Sequence, residues 1–385
     1  MATNARGADA LNPFPWYAQM REAAPVVFRN GAWHVFGYAD VQRVLSDYEH
    51  FSSQRGGGGD PLSASIISID PPRHRQLRAL ATLAFTPRTV AQLEPRITAI
   101  TNDLLDRVAA TGTMDAITDL AVPLPVIVIA EMLGIPATDR ERFKLWSDAI
   151  VQGTHSEAEA NTSTTLGPHW HQEMIGYFQA MLAERRRAPQ DDLISALLAA
   201  RVEGEQLTDQ ELIGFCVLLL IAGNETTTNL IGNALLCFDE QPAIAEQLRQ
   251  QPDRLPDTIE EVLRYRSPVQ SMFRVTKEAV VLSGQTIPAD EWVVAWIGSA
   301  NRDPAQFPAP ERFDLTRTPN RHLAFGYGIH FCLGAPLARL ESRIVLHTLL
   351  TRFRTLQRVP GVALTPLSGN IVFGVRNLPI TFAQG

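Results

Sequence analysis

The stretch Phe325-Gly326-Tyr327-Gly328-Ile329-His330-Phe331-Cys332-Leu333-Gly334 constrains this chain more than any other. Glycines at 326, 328 and 334 surround one histidine and one cysteine. From Leu337 the pattern turns helical, with Leu337, Leu340, Ile344 and Leu349 apolar and Arg339, Glu341 and Arg343 polar. Cys332 therefore falls at or just before a helix N-terminus, where unpaired N–H groups and the helix dipole stabilise a thiolate. Such a thiolate serves as nucleophile or metal ligand. The glycines strip side chains from both sides of the sulfur, so something flat and bulky, such as a planar macrocycle, can approach the backbone. Two other readings compete: an inert buried thiol and half of a zinc site. Zinc takes four ligands, however, and neither a CxxC nor an HxxxH partner lies nearby. Cys216 and Cys237 fall in an apolar helical stretch and read as core.

A second feature lies near the middle of the chain. Thr208-Asp-Gln-Glu211 is a capping box, and the apolar run behind it extends to about Asp239. At ~1.5 Å per residue this predicts a rod of roughly 40 Å or more. Its centre, Ala222-Gly223-Asn224-Glu225-Thr226-Thr227-Thr228, is poor helix material. Gly223 permits close approach of a flat ligand. Thr226 can turn its hydroxyl to the carbonyl four residues earlier and open the helix into a small polar groove.

Elsewhere, Pro25 to Phe36 reads as a hairpin turning at Asn30-Gly31, flanked by short helices at Pro15 to Arg21 and Ala39 to about Asp47. Gly56 to Gly59 reads as a flexible surface linker, and Val151 to His169 as a mobile connection in which His155, His169 and His171 match no common metal spacing. Asp70-Pro71-Pro72 opens a helix that Asp70 can cap, and it carries His74 and Arg78 on one face. Val122 to Ile129 is nearly all apolar and reads as core. Glu261 and Arg264 stand one turn apart, which in isolation describes a weak surface ion pair. After Pro268 the chain turns β-rich.

The 45% hydrophobic content suits a large core, and a net charge of −7 without a basic run excludes a nucleic-acid-binding surface. No stretch has the ~18 consecutive apolar residues of a bilayer span, and residues 1–12 lack a signal pattern. With three cysteines and no pairing logic, the expectation is a cytoplasmic protein.

The pattern F-G-x-G-x-H-x-C-x-G, followed by Ala335 and Pro336, resembles the haem-ligand loop of the cytochrome P450 family, in its soluble bacterial type. A-G-x-E-T at 222–226, E-x-x-R at 261–264 and D-P-P-x-H-x-x-x-R at 70–78 resemble further family segments, and the likeness runs in order from about Pro15 to Phe382. It implies a mainly α fold with a small β-rich lobe: an N-terminal tail, 1–14, and a single haem-thiolate domain, 15–385. By the same resemblance Cys332 is the iron ligand of haem b. His74, Arg78, Arg274 and His330 meet the propionates, while Ala222, Gly223, Phe325, Gly326 and Gly334 line the haem. Thr226 donates a hydrogen bond at the oxygen site and Glu225, where many members have aspartate, feeds protons. Glu261, Arg264 and Arg312 form a structural core. Ile67, Leu219, Val269, Gln270 and Ile371 face the substrate.

The implied activity is insertion of one oxygen atom from O2 into an apolar organic substrate, by hydroxylation or epoxidation. The chain has no flavin, nicotinamide or iron–sulfur fingerprint. Electrons would thus come from NAD(P)H through a separate ferredoxin or flavodoxin, docking where Arg339, Arg343 and Arg75 present positive charge. The alternatives are a peroxide-driven peroxygenase of the same fold, a non-catalytic haem sensor or carrier, and, remotely, a zinc-binding structural protein.

Overall fold

The computed structural model describes residues 10–54, 64–155, 169–202 and 204–384. The four-glycine run at 56–59 and the stretch 156–168 lie outside the described residues. Of the histidines in that connection, His169 and His171 are exposed. The chain divides into two compact units, one of Met1–Ser53, Thr98–Ala121 and Thr226–Gly385, the other of Gln54–Ile97 and Val122–Glu225.

All the paired strands among the described residues belong to the first unit. The hairpin forms as the Asn-Gly pair predicts: β1 (Val26–Arg29) and β2 (Ala32–Val35) pair antiparallel, Val26 opposite Val35. Asn30 and Gly31 both have positive φ, 51° and 80°, as a two-residue type I′ turn requires. With β3 (Phe51–Ser52), β5 (Met272–Thr276) and β8 (Trp292–Ala295) they make a sheet of order β1-β2-β8-β5-β3. Between these in the chain lie β4 (Thr113–Asp115), β6 (Val280–Leu282) and β7 (Gln285–Ile287). β4 joins β9 (Phe353–Arg358) and β10 (Pro379–Gln384) in a second sheet, while β6 and β7 pair alone. On one side of the larger sheet an aliphatic core gathers Val35, Val41, Val293, Ala295 and Leu323. Its aromatic counterpart gathers Phe14, Tyr17, Phe36, Trp296 and Phe373, with the Phe36 and Trp296 rings stacked at 5.8 Å. The helices of this unit include Asn224–Glu240 from Thr226 onward, Leu255–Tyr265 and Ala335–Arg352, the last packing on Leu255–Tyr265.

The second unit is helical. Asp209–Ala222 begins with the predicted capping box between Thr208 and Glu211, and it packs on Pro123–Met132, Arg140–His155 and Trp170–Arg187. It is buried nearly all round, which is why its sequence is apolar without a stripe. Arg185, 4% exposed, is a rare buried cation here; it is held by Asp192, Glu184 and the carbonyl of Gly134. Helix Arg73–Ala84 starts just after the Asp70-Pro71-Pro72 turn. The N-cap position is Pro72, which has no polar side chain to offer, and the backbone carbonyl of Asp70 accepts the His74 N–H.

Candidate functional site

In the first unit the cysteine loop is tied to itself. The Cys332 N–H donates to the Phe325 carbonyl at 2.9 Å, and the Gly326 N–H to the Leu323 carbonyl at 2.8 Å. Gly328, at φ 72°, lies against helix Tyr38–Ser46, and a Cβ there would stand 2.8 Å from the Ser46 Cα. Gly334 is the N-cap of Ala335–Arg352, and a Cβ on it would sit 3.8 Å from the Cys332 Sγ. Cys332 is half-buried, whereas Cys216 and Cys237 are fully buried and burial pushes their thiols up to about 12. Of the three sulfurs, Cys332 is the one placed to bind a ligand.

Around the loop, His330 Nε2 lies 3.0 Å from Ser53 Oγ, and Arg274 on β5 is buried, donating through Nη1 to the Phe273 carbonyl. The Arg339 guanidinium stacks 4.5 Å over the Phe325 ring and binds both oxygens of Glu260, which also meets His322. Burial alone would raise the Glu260 carboxyl, but hydrogen bonds from Arg339 and His322 outweigh it and hold it down at about 2. Arg339 is therefore already matched by a local carboxylate.

The Glu261–Arg264 pair is nothing like a surface ion pair. Both residues are fully buried, joined by two bonds of 2.8 Å. Arg264 also donates to the carbonyls of Asn301, Pro310 and Arg312, so all its donor directions are used. Arg312 enters only through that carbonyl. Its N–H turns back to Ala309, which has φ 45°, and this leaves its side chain exposed. The third side chain on Glu261 is Arg317, at 3.2 Å to each oxygen, with the Asp314 N–H and Asn320 alongside. Gln270 also departs from expectation. It is fully buried, accepts from the Tyr17 hydroxyl and donates to the Ser267 carbonyl, so its amide belongs to the core and not to a substrate surface. Val269 and Ile371, half-buried, remain neighbours where Val269 bridges to Val372.

In the second unit, His74 is buried and Arg78 half-buried on helix Arg73–Ala84. Burial first, then the charge of Arg78, push the His74 imidazole down to about 4 against the opposing pull of Asp70, so it is neutral at pH 7. Ile67 and Leu219 are both half-buried, on a short helical turn and a helix that pack together. The long central helix is interrupted at Gly223, between Asp209–Ala222 and Asn224–Glu240. Two side chains that sequence reasoning missed hold this break: Asn224 Nδ2 and Ser147 Oγ both donate to the Leu220 carbonyl, at 2.8 and 3.0 Å. Asn224 signals itself only as a weak helix former; Ser147 gives no sign. A Cβ on Gly223 would stand 2.8 Å from the Leu219 carbonyl and 3.0 Å from Ile129. Gly223→Ala should therefore cost about 1–2 kcal/mol in chemical denaturation, overpacking outweighing the ~1 kcal/mol gained in helix propensity.

A mainly helical chain with three small sheets, and a half-buried cysteine presented by a glycine-rich loop ahead of a long helix, defines a P450-type fold. The cytochrome P450 family model matches residues 29–380. A putative cytochrome P450, YjiB, from Bacillus subtilis is 43% identical over 97% of this chain and 94% of its own length. The erythromycin C-12 hydroxylase of Saccharopolyspora erythraea is 43% identical over 97% and 95%. The crystal structure of substrate-free CYP109E1 from Bacillus megaterium superimposes with a TM-score of 0.92 at 44% identity, covering 98% of this chain and all of that one. The chain belongs to the cytochrome P450 family. It is a haem-dependent monooxygenase that works with a redox partner on an organic substrate. The residues fit that cofactor: Cys332 is an accessible soft donor, and Gly334 leaves the space beside the sulfur open. One helical stretch, Asp209–Glu240, is long and apolar enough to cross a membrane, and 61% of its apolar window is buried inside the protein.

Proposed function

We propose that Cys332 is the proximal ligand of haem b. In the first unit Arg274 and His330 would serve its propionates and Phe325, Gly326 and Gly334 its ring. In the second, His74 and Arg78 would serve the propionates, with Ala222 and Gly223 against the ring. The observation that carries this reading is the self-bonded loop holding a half-buried Cys332 beside the start of helix Ala335–Arg352. When bound, haem supplies oxygen activation and atom transfer, and the thiolate donates electron density to it. A neutral His74 has one N–H to give a carboxylate, and Arg78 and Arg274 add charge-assisted bonds. The Thr226 hydroxyl would donate a hydrogen bond at the oxygen site, with Glu225 as the proton source. Ile67, Leu219, Val269 and Ile371 would exclude water and hold an apolar substrate.

The test is the reduced protein under carbon monoxide. A strongly red-shifted Soret band that disappears in Cys332→Ser is expected, and its absence in the wild type would refute the assignment. Thr226→Ala should cut product formed per reductant consumed by about tenfold or more, with peroxide released instead and haem content unchanged.

The related CYP109E1 has been crystallised with testosterone and with corticosterone, at 46% and 45% identity. A rigid apolar substrate of that size is the class we assign here, and a spectral titration with testosterone checks it. For electrons we assign NAD(P)H through a small acidic ferredoxin or flavodoxin. Arg339, Arg343 and Arg75 would supply the positive charge on the docking face, and reduction should slow as salt rises. Three cysteines that form no disulfide support a cytoplasmic location, and both units would form one haem-thiolate domain.

A further inference from the structure

Glu341 lies on helix Ala335–Arg352, the helix that continues from the cysteine loop, and is 1% exposed. Its neighbours on that face, Leu337, Ile344 and Val345, are buried and apolar. A carboxyl group in such a place is costly unless the bond it makes matters. Glu341 is hydrogen-bonded to the hydroxyl of Thr227, and no partner for its Oε1 stands among the described residues. Thr227, 2% exposed, is in the first turn of helix Asn224–Glu240, directly after Thr226.

The three consecutive threonines point in different directions, since successive helical residues turn by about 100°. Thr227 is joined to Glu341, and Thr228 donates to the Ala121 carbonyl at 2.8 Å. Thr226 stands on the remaining face. Gly223, which ends helix Asp209–Ala222, keeps helical dihedrals (φ −77°, ψ −32°), so these ties add to the rotation that the chain itself imposes on the next turn. We propose that Glu341 is a positioning residue that, with the Thr228–Ala121 bond, clamps the first turn of helix Asn224–Glu240 and so fixes where the Thr226 hydroxyl stands. Burial pushes the Glu341 carboxyl up to about 8, and the Thr227 bond only partly opposes this, so the group carries its proton at neutral pH. Glutamine reproduces the shape and hydrogen bonding of that neutral form; methionine fills the space without the bond.

This inference rests on the role assigned above to Thr226, and Thr226→Ala is the control that separates the two. The haem-loaded Glu341→Gln, Glu341→Met and Thr227→Val variants are compared for product per reductant consumed, peroxide released and amide exchange across residues 224–233. Glu341→Met and Thr227→Val should each lower coupling about three- to tenfold, the scale of one buried hydrogen bond, and speed exchange in that segment. The double variant should be no worse than either alone, and Glu341→Gln should match the wild type in coupling and exchange no faster than it. Normal coupling in Glu341→Met, or in Thr227→Val should the methionine variant lose haem, overturns the proposal. So does a Glu341→Gln variant as uncoupled as Glu341→Met, which would mean that the ionisable proton is what matters. Unchanged coupling in Thr226→Ala would instead remove the role of Thr226 itself.

Discussion

Arg264→Ala is expected to destabilise the protein by about 3–5 kcal/mol, the usual cost of stripping one partner from a buried ion pair. That is a large share of the ~5–15 kcal/mol by which a typical protein is stable. The size follows from what is left behind. The carbonyls of Asn301, Pro310 and Arg312 all lose their Arg264 donor in the interior, while Glu261 keeps Arg317, Asn320 and the Asp314 N–H. Arg264→Lys should recover little, because an ammonium cannot reproduce the planar fork that bonds both Glu261 oxygens and three carbonyls at once. Arg312→Ala should move stability by no more than about 0.5 kcal/mol, since its side chain is exposed and only its backbone carbonyl takes part. Urea denaturation of the three variants checks the ordering. An Arg312→Ala variant as damaged as Arg264→Ala would mean that the side-chain network is drawn wrongly.

Glu341→Gln should stabilise the protein at alkaline pH. The sign follows from proton counts. With the folded carboxyl near 8 against a usual value of 4.5, the native state holds a proton that the unfolded chain has given up at any pH between the two. Stability from this group is therefore complete below about pH 4.5 and falls as pH rises toward 8. Each pKa unit is worth about 1.4 kcal/mol, so across the window the penalty reaches roughly 3–5 kcal/mol. Glutamine cannot ionise and escapes it. The difference between variant and wild type isolates Glu341 from Glu260 and His74, which titrate in both proteins. Denaturation midpoints should nearly coincide at pH 5 and separate by pH 8.5; parallel curves over that range would show that the carboxyl is ionised or hydrated in the native protein.

The residues differ in how far they could be read without the fold. The cysteine loop was legible because its chemistry is local: glycines, a thiol and a helix start lie within one short stretch, and the structure puts the Cys332 N–H on Phe325 and Gly334 at the N-cap. The hairpin at Asn30-Gly31 and the capping box at Thr208 were legible for the same reason, since a turn or a cap is decided by a few adjacent residues. Glu261 and Arg264 could be paired by spacing, but their burial could not be. Nothing nearby marks Arg317 as the third partner, because the loop that brings it to Glu261 closes over 56 residues of chain. Gln270 failed in the opposite direction, with Tyr17, 253 residues away, capturing its amide.

By itself, then, the order of residues determined the family, the mainly helical architecture and the glycine-rich loop that carries Cys332, since each depends on short-range patterns of apolarity, capping and glycine. Only the tertiary structure decided which polar groups are locked into the interior and which stay available. Burial and hydrogen-bond satisfaction are properties of the packed whole, and they turned Glu261–Arg264 from an ordinary helix pair into a core, withdrew Gln270 and Arg339 to local partners, and placed the Glu341 acid beneath the turn that carries Thr226.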